Sequence, residues 1–535
     1  MTKANATRIA AAMLTVLPAL AAEATTVARA SCRGSDKAES GLQGLTTQAE
    51  IDSGAAKAGF NCNTDIVGQY QGEGASWQLT AWKNCAYFDQ RLNSAEAHPG
   101  TVVVDVSDPK NPKPTAWLSE PAFIDPWESL KVNAARQLLG GGQRPTASFN
   151  FPGTGFSIYD ISQDCAHPTL KSSINISGSF GHTGQWAPDG KTYYITPLRN
   201  DISIEAIDTT DPANPKLIPC VSAAAGDGCG TNGFFTAPAA VAALPRWHDL
   251  EFSKDGNTAY ITMFGTFPTT NTGNGLLLLD VSDFQQRKAN PMYRVISSLT
   301  WDDGSVGAQN ALPVTIRGKP YILFSDEGDG GTTACQQGKA GSGFPRLIDI
   351  SDPKNPKIAA KLILDIHDPA NCSTAINAPV QQATATATPA AGFFGFSCHY
   401  CNVDDADNAT VAACNCFAAG LRIFDISDIN NVKEIGYLKP PAQGTKGLPG
   451  SQYANSNVTT FARNFDWATS KPSFPKDRGM ASGDIWTTSQ DNGFMVVNLS
   501  RPSSGGCASA DASVGGLIFF GLVEMLRRRK LRRQG

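Results

Sequence analysis

Three of the six histidines occupy comparable positions in the sequence. His182 and His248 each lie seven residues before an Asp-Gly turn, and His399 lies near the start of a later strand-like segment. Neutral imidazoles that converge in space can bind Zn or Cu. These three histidines, with Asp249 as a further candidate ligand, could therefore form a metal site. The interpretation that the sequence favours is that the histidines are repeat residues that hydrogen-bond to neighbouring backbone.

Cysteines are the second group of residues with chemical potential. The chain has 13, and setting Cys507 aside leaves an even number that suits disulfides in an exported protein. Cys220 with Cys229, and Cys335 with Cys372, are candidate pairs. Four more lie close together in the sequence: Cys398, Cys401, Cys414 and Cys416. Because a histidine lies among these four, a zinc cluster and a redox-active dithiol are alternatives to the disulfides that we favour.

Two acidic segments could bind Ca²⁺ through oxygen ligands. They contain Asp404, Asp405 and Asp407, and Asp326, Glu327 and Asp329. Neither segment has the spacing of an EF-hand loop, so solvated turns are the favoured interpretation.

A recurring sequence motif, here called the repeated phrase, would position all these residues. It consists of an apolar strand, an acidic residue and then Ser or Thr, often followed by Asp-Pro and Asn-Pro. The residues in the acidic position of the seven copies are Asp105, Asp160, Asp208, Asp280, Asp349, Asp425 and Asn498. Such a side chain can accept a hydrogen bond from the backbone amide two residues later. We therefore predict turn-forming roles for them rather than ligand roles.

Each copy of the phrase lies within the same supersecondary unit. In the fourth copy, residues 247–252, 258–262, 276–283 and 293–297 all have strand-like patterns. Four antiparallel strands repeated seven times are typical of a β-propeller. We predict an all-β, seven-bladed propeller over residues 64–500, in which the first strand of each blade lines the central channel.

The last copy of the unit ends without a fourth strand. Residues 64–70 stand alone before the first complete unit, and we predict that they complete the last blade and close the ring, which removes an exposed edge. Residues 25–63 form a Cys-containing N-terminal extension. In the insert 119–146, the pattern from Glu128 to Leu139 predicts a helix.

Both ends of the chain carry features of transport signals. Residues 1–24 have the basic start, apolar run and small-x-small site of a signal peptide. A linker, 501–513, contains Gly505, Gly506 and Cys507, and residues 514–535 contain an apolar segment followed by an Arg-rich tail. This combination resembles the C-terminal sorting signals of exported bacterial surface proteins. It implies transient membrane anchoring before cleavage, and a permanent tail anchor formed by a transmembrane helix is the alternative.

Charge excludes one class of function. The formal net charge is -4, and only 17% of the residues are charged. Nucleic-acid binders depend on basic residues, so we expect no nucleic-acid partner.

The repeat also carries a family resemblance. The segment 102–109 (VVVDVSDP) and its variants resemble the LVIVD repeat of exported propeller-like proteins, and segments 398–404 and 486–493 strengthen the likeness. The resemblance implies a propeller fold and an exported location at the cell surface or in the periplasm, but no established activity. We expect a binding or interaction module with a protein or envelope partner. The alternative is a metal-dependent Cu or Zn oxidase or hydrolase that uses the channel histidines.

Overall fold

Four-stranded antiparallel sheets repeat seven times in a ring, so the prediction of a seven-bladed β-propeller is confirmed. The computed structural model describes residues 26–90, 97–143, 155–175, 182–196, 204–219, 247–266, 270–379, 394–441, 458–461, 464–466, 471–473, 484–490 and 492–500.

Two strands precede the first blade, namely β1 (Phe60–Cys62) and β2 (Thr64–Tyr70). Blade 1 contains β3 (Leu79–Trp82), β4 (Cys85–Asp89), β5 (Thr101–Asp105) and β6 (Lys113–Leu118). Blade 2 contains β7 (Lys131–Asn133), β8 (Leu138–Gly142), β9 (Gly155–Asp160) and β10 (Thr169–Asn175). Blade 3 contains β11 (Thr183–Trp186), β12 (Thr192–Thr196), β13 (Glu205–Asp208) and β14 (Lys216–Ile218).

Blade 4 contains β15 (Trp247–Phe252), β16 (Thr258–Thr266), β17 (Thr270–Asp280) and β18 (Arg294–Thr300). Blade 5 contains β19 (Ser305–Ile316), β20 (Lys319–Asp329), β21 (Arg346–Asp349) and β22 (Lys357–Lys361). Blade 6 contains β23 (Cys401–Val403), β24 (Val411–Cys416), β25 (Gly420–Asp425) and β26 (Lys433–Lys439). Blade 7 contains β27 (Val458–Phe461), β30 (Asp484–Ser489) and β31 (Gly493–Leu499), with the hairpin β28 (Asn464–Asp466) and β29 (Lys471–Ser473) between the first two.

Helices in the described residues are short. They are α1 (Gln48–Asp52), α2 (Ala55–Ala58), α3 (Pro121–Ile124), α4 (Ser282–Gln285), α5 (Gly331–Gln336) and α6 (Cys372–Ile376), with 3₁₀ turns at Asp365–His367 and Pro369–Asn371. No helix in this described part is long and apolar enough to cross a membrane.

The repeated phrase forms the third strand of each blade, and its apolar run packs against both neighbouring blades. In β17, Leu277 and Leu279 pack in one cluster with Tyr194 of blade 3. Leu276 and Leu278 pack in another cluster with residues of blade 5. A strand that is buried on both faces needs apolar side chains at successive positions, which explains the continuous run and the low charge content.

Strand β2, which precedes blade 1 in the chain, closes the ring. β2 pairs antiparallel with β31, with Thr64 opposite Leu499 and Tyr70 opposite Phe494. The resulting sheet has the order β2-β31-β30-β27. Blade 7 is therefore built from both ends of the propeller, as the sequence predicts, and its outer edge is paired.

Gly68 lets the closing strand approach blade 1. A Cβ at this position would lie 2.2 Å from the carbonyl oxygen of Pro109, in the turn after β5. We expect Gly68→Ala to lower the free energy of unfolding by about 1–3 kcal/mol, because backbone must shift to relieve the clash. Urea denaturation measures the change. Gly34→Ala is the control, since no atom lies within 4 Å of its added Cβ. Equal effects of the two substitutions would contradict this account of closure.

The extension before β2 packs on blades 5 and 6. β1 pairs with β26 and becomes a fifth strand of the blade 6 sheet. Further upstream, the backbone amide of Val27 donates to the carbonyl of Ile363 at 2.8 Å. The extension therefore belongs to the folded body.

The helix prediction for Glu128 to Leu139 is wrong. This segment contains β7, a turn and the start of β8, and Gln137 in the turn has a φ of 54°. Pairing with β9 determines the conformation, because Leu139 lies opposite Tyr159 in the blade 2 sheet. Tertiary pairing here overrides local propensity.

Disulfides join all ten cysteines in the described residues. The five bonds are Cys32–Cys62, Cys85–Cys165, Cys335–Cys372, Cys398–Cys416 and Cys401–Cys414. They indicate an oxidising compartment, extracellular or periplasmic. Cys220 and Cys229 lie outside the described residues, as do the predicted signal peptide 1–24 and the segments 501–513 and 514–535 with Gly505, Gly506 and Cys507.

Candidate metal centre in the channel

The three predicted histidines enter the channel from three blades. His182 directly precedes β11, His248 lies in β15, and His399 lies two residues before β23; these are the first strands of their blades. The Nε2 atoms of His182 and His248 are 3.0 Å apart. His399 faces the same cluster through Glu128, a residue that our sequence analysis did not connect with the histidines.

Glu128 lies between the histidines. Its Oε2 is 3.2 Å from Nε2 of His248 and 3.5 Å from Nε2 of His182, while its Oε1 is 2.9 Å from Nε2 of His399. Its backbone amide donates to the carbonyl of His182 at 3.0 Å, which attaches the segment before β7 to blade 3. Backbone pairing and side-chain contacts together hold this carboxylate in the channel.

Glu327 adds a second carboxylate. Its Oε1 is 3.8 Å from Nε2 of His248, and its Oε2 is 3.5 Å from Nε2 of His399. The segment with Asp326, Glu327 and Asp329 is therefore not a solvated turn, since it ends strand β20 and its first two side chains are buried. Asp326 accepts hydrogen bonds from Arg346 and Asn274.

Asp249 lies beside the cluster without joining it. Its Oδ2 accepts a hydrogen bond from Nδ2 of Asn310 at 3.2 Å, and its backbone lies against Thr262. Neither of the two groups with metal-ligand geometry contains Asp249.

The spacing of the ligand atoms fits a coordination shell. A transition metal binds nitrogen and oxygen at about 2.0–2.2 Å, which places adjacent ligand atoms about 3 Å apart. The contacts within the cluster range from 2.9 to 3.8 Å. Glu128, His182 and His248 form one compact group, Glu128, Glu327 and His399 form another, and the ligand atoms of each lie within 4.8 Å of one another. The residues thus offer three nitrogen and two carboxylate ligands.

Burial and mutual attraction shift the pKa values of these groups. Burial alone raises the pKa of Glu128, but attraction to His248 and the hydrogen bond with His399 lower that pKa to about 2. Burial, together with the charge of Glu128, raises the pKa of Glu327 well above its usual range. Burial lowers the pKa of His248 and favours the neutral imidazole, the form that binds metal.

Aromatic side chains surround the cluster. The ring of Trp77 lies 5.6 Å from that of His399, Trp127 lies 5.7 Å from His182, and Phe417 lies 5.2 Å from His399. Trp127 and Phe417 have φ angles of 49° and 28°, a strained conformation for aromatic residues. Such strain concentrates at functional sites.

His182 is the most exposed of the five residues in the cluster. The side chain of His182 is 12% exposed, whereas those of His248 and His399 are 1% and 0% exposed. Glu128, His182 and His399 all precede a first strand, so the centre lies at the end of the channel where one blade connects to the next. Residues 119–130, 362–379 and 394–400 belong to blade connections on this same face.

Two disulfides bracket His399. Cys398 is bonded to Cys416, and Cys401 is bonded to Cys414. With all four sulfurs in disulfides, the cysteines offer neither thiolates for zinc nor a free dithiol. Their effect is to attach both sides of His399 to strand β24.

Other predicted residues have local partners. In the acidic segment after β23, Oδ1 of Asp404 accepts backbone amides of Asp405, Thr410 and Val411 at 2.9–3.1 Å. Six strand-ending aspartates each accept the backbone amide two residues later at 2.8–3.0 Å: Asp105, Asp160, Asp208, Asp280, Asp349 and Asp425. Asn498 instead accepts the Ser500 hydroxyl at 3.0 Å.

Glu128 did have a signal in the sequence. The second strands of blades 2, 3 and 4 begin at Leu138, Thr192 and Thr258. Glu128, His182 and His248 each lie ten residues before these starts. Because the segment was predicted to be a helix, the equivalence of Glu128 to the two histidines was not recognised. Glu327 had no comparable signal, because it reaches the channel from a second strand.

Comparisons with known proteins yield the fold alone. No protein-family model matches the chain, and no curated protein matches it. Among solved structures, the chain is similar to the β-propeller domain of Cps50 (Swd1) from Myceliophteria thermophila, with 11% identity, a TM-score of 0.44, and coverage of 82% of this chain and 99% of that one. The assignment to the β-propeller architecture rests on the strand pairing of the chain itself.

Proposed function

We propose that the protein is an exported β-propeller binding module that holds a transition metal at one mouth of its channel. The observation that carries this proposal is the convergence of three imidazoles and two carboxylates, contributed by five blades, at 2.9–3.8 Å. Buried carboxylates and histidines with no cation among them are costly to fold. A bound metal would offset that cost and would give the five blades a common ligand.

The chemistry of the ligands favours particular metals. Imidazole nitrogen suits Zn and Cu, whereas Ca²⁺ prefers a shell made of oxygen alone. Three nitrogens in a set of five ligands therefore support Zn or Cu rather than Ca²⁺. Partial exposure of His182 gives the metal a route into the site from one side.

Export and partners form the second part of the proposal. The five disulfides support an oxidising compartment, and the signal peptide and C-terminal motif predicted from the sequence support the cell surface or periplasm of a bacterium. Propellers commonly bind proteins through their loops. The blade connections around the channel mouth would offer such a surface to an envelope partner.

Metal content tests the central claim. We expect the chain, purified without reductant and exposed to Zn²⁺ or Cu²⁺, to retain metal after dialysis. His248→Ala should reduce retention at least tenfold, because this ligand contacts both carboxylates of the cluster. His167→Ala is the control, since His167 is exposed and bonds only to Asp164 among the contacts described. Metal-free wild-type protein, or equal retention by the two variants, would refute the proposal.

A further inference from the structure

The two carboxylates of the centre are arranged in the same unusual way. Glu128 directs Oε2 toward His182 and His248, and directs Oε1 toward His399. Glu327 directs Oε1 toward His248 and Oε2 toward His399. Each carboxylate therefore presents one oxygen to the His182–His248 side and the other to the His399 side.

Because each carboxylate directs its two oxygens to different histidines, the cluster has two potential metal positions rather than one. The first is bounded by His182, His248 and Oε2 of Glu128, and Oε1 of Glu327 lies 3.8 Å from Nε2 of His248 at its edge. The second is bounded by His399, Oε1 of Glu128 and Oε2 of Glu327. We propose that the channel holds two transition-metal ions bridged by Glu128 and Glu327. Two-metal sites of this kind place their ions about 3.5–4 Å apart, a distance that a bridging carboxylate spans.

Gln309 completes the second position. Its side-chain Nε2 lies 3.0 Å from Nε2 of His399, and its Oε1 is buried with no hydrogen-bond partner in the described structure. The two ends of a glutamine amide are assigned from their surroundings. Rotation of the amide would bring Oε1 to the His399 side, where it becomes a fourth ligand. The second position then has four potential protein ligands.

Metal stoichiometry of the full chain tests the inference, which rests on the proposed metal-binding function. We expect two Cu²⁺ or two Zn²⁺ per chain by elemental analysis, with the His167→Ala variant showing the same value. One ion per chain would overturn the two-ion centre and keep the proposed function. No bound ion would overturn both.

Magnetic coupling provides a second measurement that needs no variant. Two Cu²⁺ ions bridged by carboxylates should couple, so the electron paramagnetic resonance signal of the wild-type chain should integrate to fewer spins than its copper content. His399→Ala should bind one ion and give one uncoupled spin per copper. Two coppers per wild-type chain with two full, independent spins would show that the ions are not bridged and would overturn the inference.

Discussion

Replacing Arg422 with methionine is expected to lower the free energy of unfolding by about 3–5 kcal/mol. Arg422 lies in β25 and its side chain is fully buried. It forms a bidentate pair with Glu39 at 2.8 and 3.0 Å and a third bond to Glu434 at 3.0 Å. The substitution leaves both carboxylates buried without their guanidinium partner.

The arrangement around Arg422 explains the size of this effect. Burial alone raises the pKa of Glu39, but the charges of Arg422 and Lys439 lower it below its usual range. Oε1 of Glu39 also accepts the backbone amide of Gly44 at 3.0 Å. Because Glu39 belongs to the N-terminal extension, the pair links that extension to blade 6 as well as satisfying buried charge.

Chemical denaturation in guanidinium chloride measures the loss in the free energy of unfolding. Arg294→Met is the control, because the side chain of Arg294 is 44% exposed and its buried partner Asp283 keeps a second cation, Lys288, at 2.6 Å. A pair whose cation is open to water contributes about 1 kcal/mol. Adding Glu39→Gln and Glu434→Gln to the Arg422 variant should recover part of the stability. If the Arg422 and Arg294 variants unfold alike, the buried network does not hold the extension in place.

Removal of the proposed channel metal is expected to have an effect of similar size. Binding to the folded state alone stabilises a protein by about 4 kcal/mol when the free metal is 1,000 times its dissociation constant. Removal also leaves the neighbouring carboxylates of Glu128 and Glu327 buried without a cation between them. Metal-loaded chain treated with EDTA should therefore unfold at a lower temperature, and returning Zn²⁺ or Cu²⁺ should restore the transition.

The double variant Glu128→Gln with Glu327→Gln serves as the control for this measurement. It keeps the shape of both side chains and removes their charge, so EDTA should leave its unfolding temperature unchanged. A wild-type chain that retains metal and yet unfolds at the same temperature after EDTA treatment would contradict a metal site inside the folded channel.

Much of the fold could be predicted because its signals are local. The apolar run with its terminal Asp marks the third strand in every blade, from β5 to β31. The missing fourth strand of the last copy identified 64–70 as the closing strand, and its pairing with β31 confirms that prediction. Strand period and turn chemistry operate over a few residues, so a single sequence displays them.

The same reasoning predicted the histidines of the candidate centre but not its two glutamates. His182, His248 and His399 were found because repeat equivalence places them in first strands. Glu128 was assigned to a helix, and Glu327 to a solvated turn. Asp249 follows His248 directly in the chain, but its carboxylate bonds to Asn310 and belongs to neither group of potential ligands.

The sequence alone determined the seven blades, their closure and the three imidazoles, because periodic burial imposes a repeating residue pattern. Only the tertiary structure decided which carboxylates meet those imidazoles. Glu128 and His399 are 271 residues apart in the chain and 2.9 Å apart at their side chains. That contact depends on how five blades converge at one end of a channel, and no local pattern encodes the distance between the first strands of separate blades.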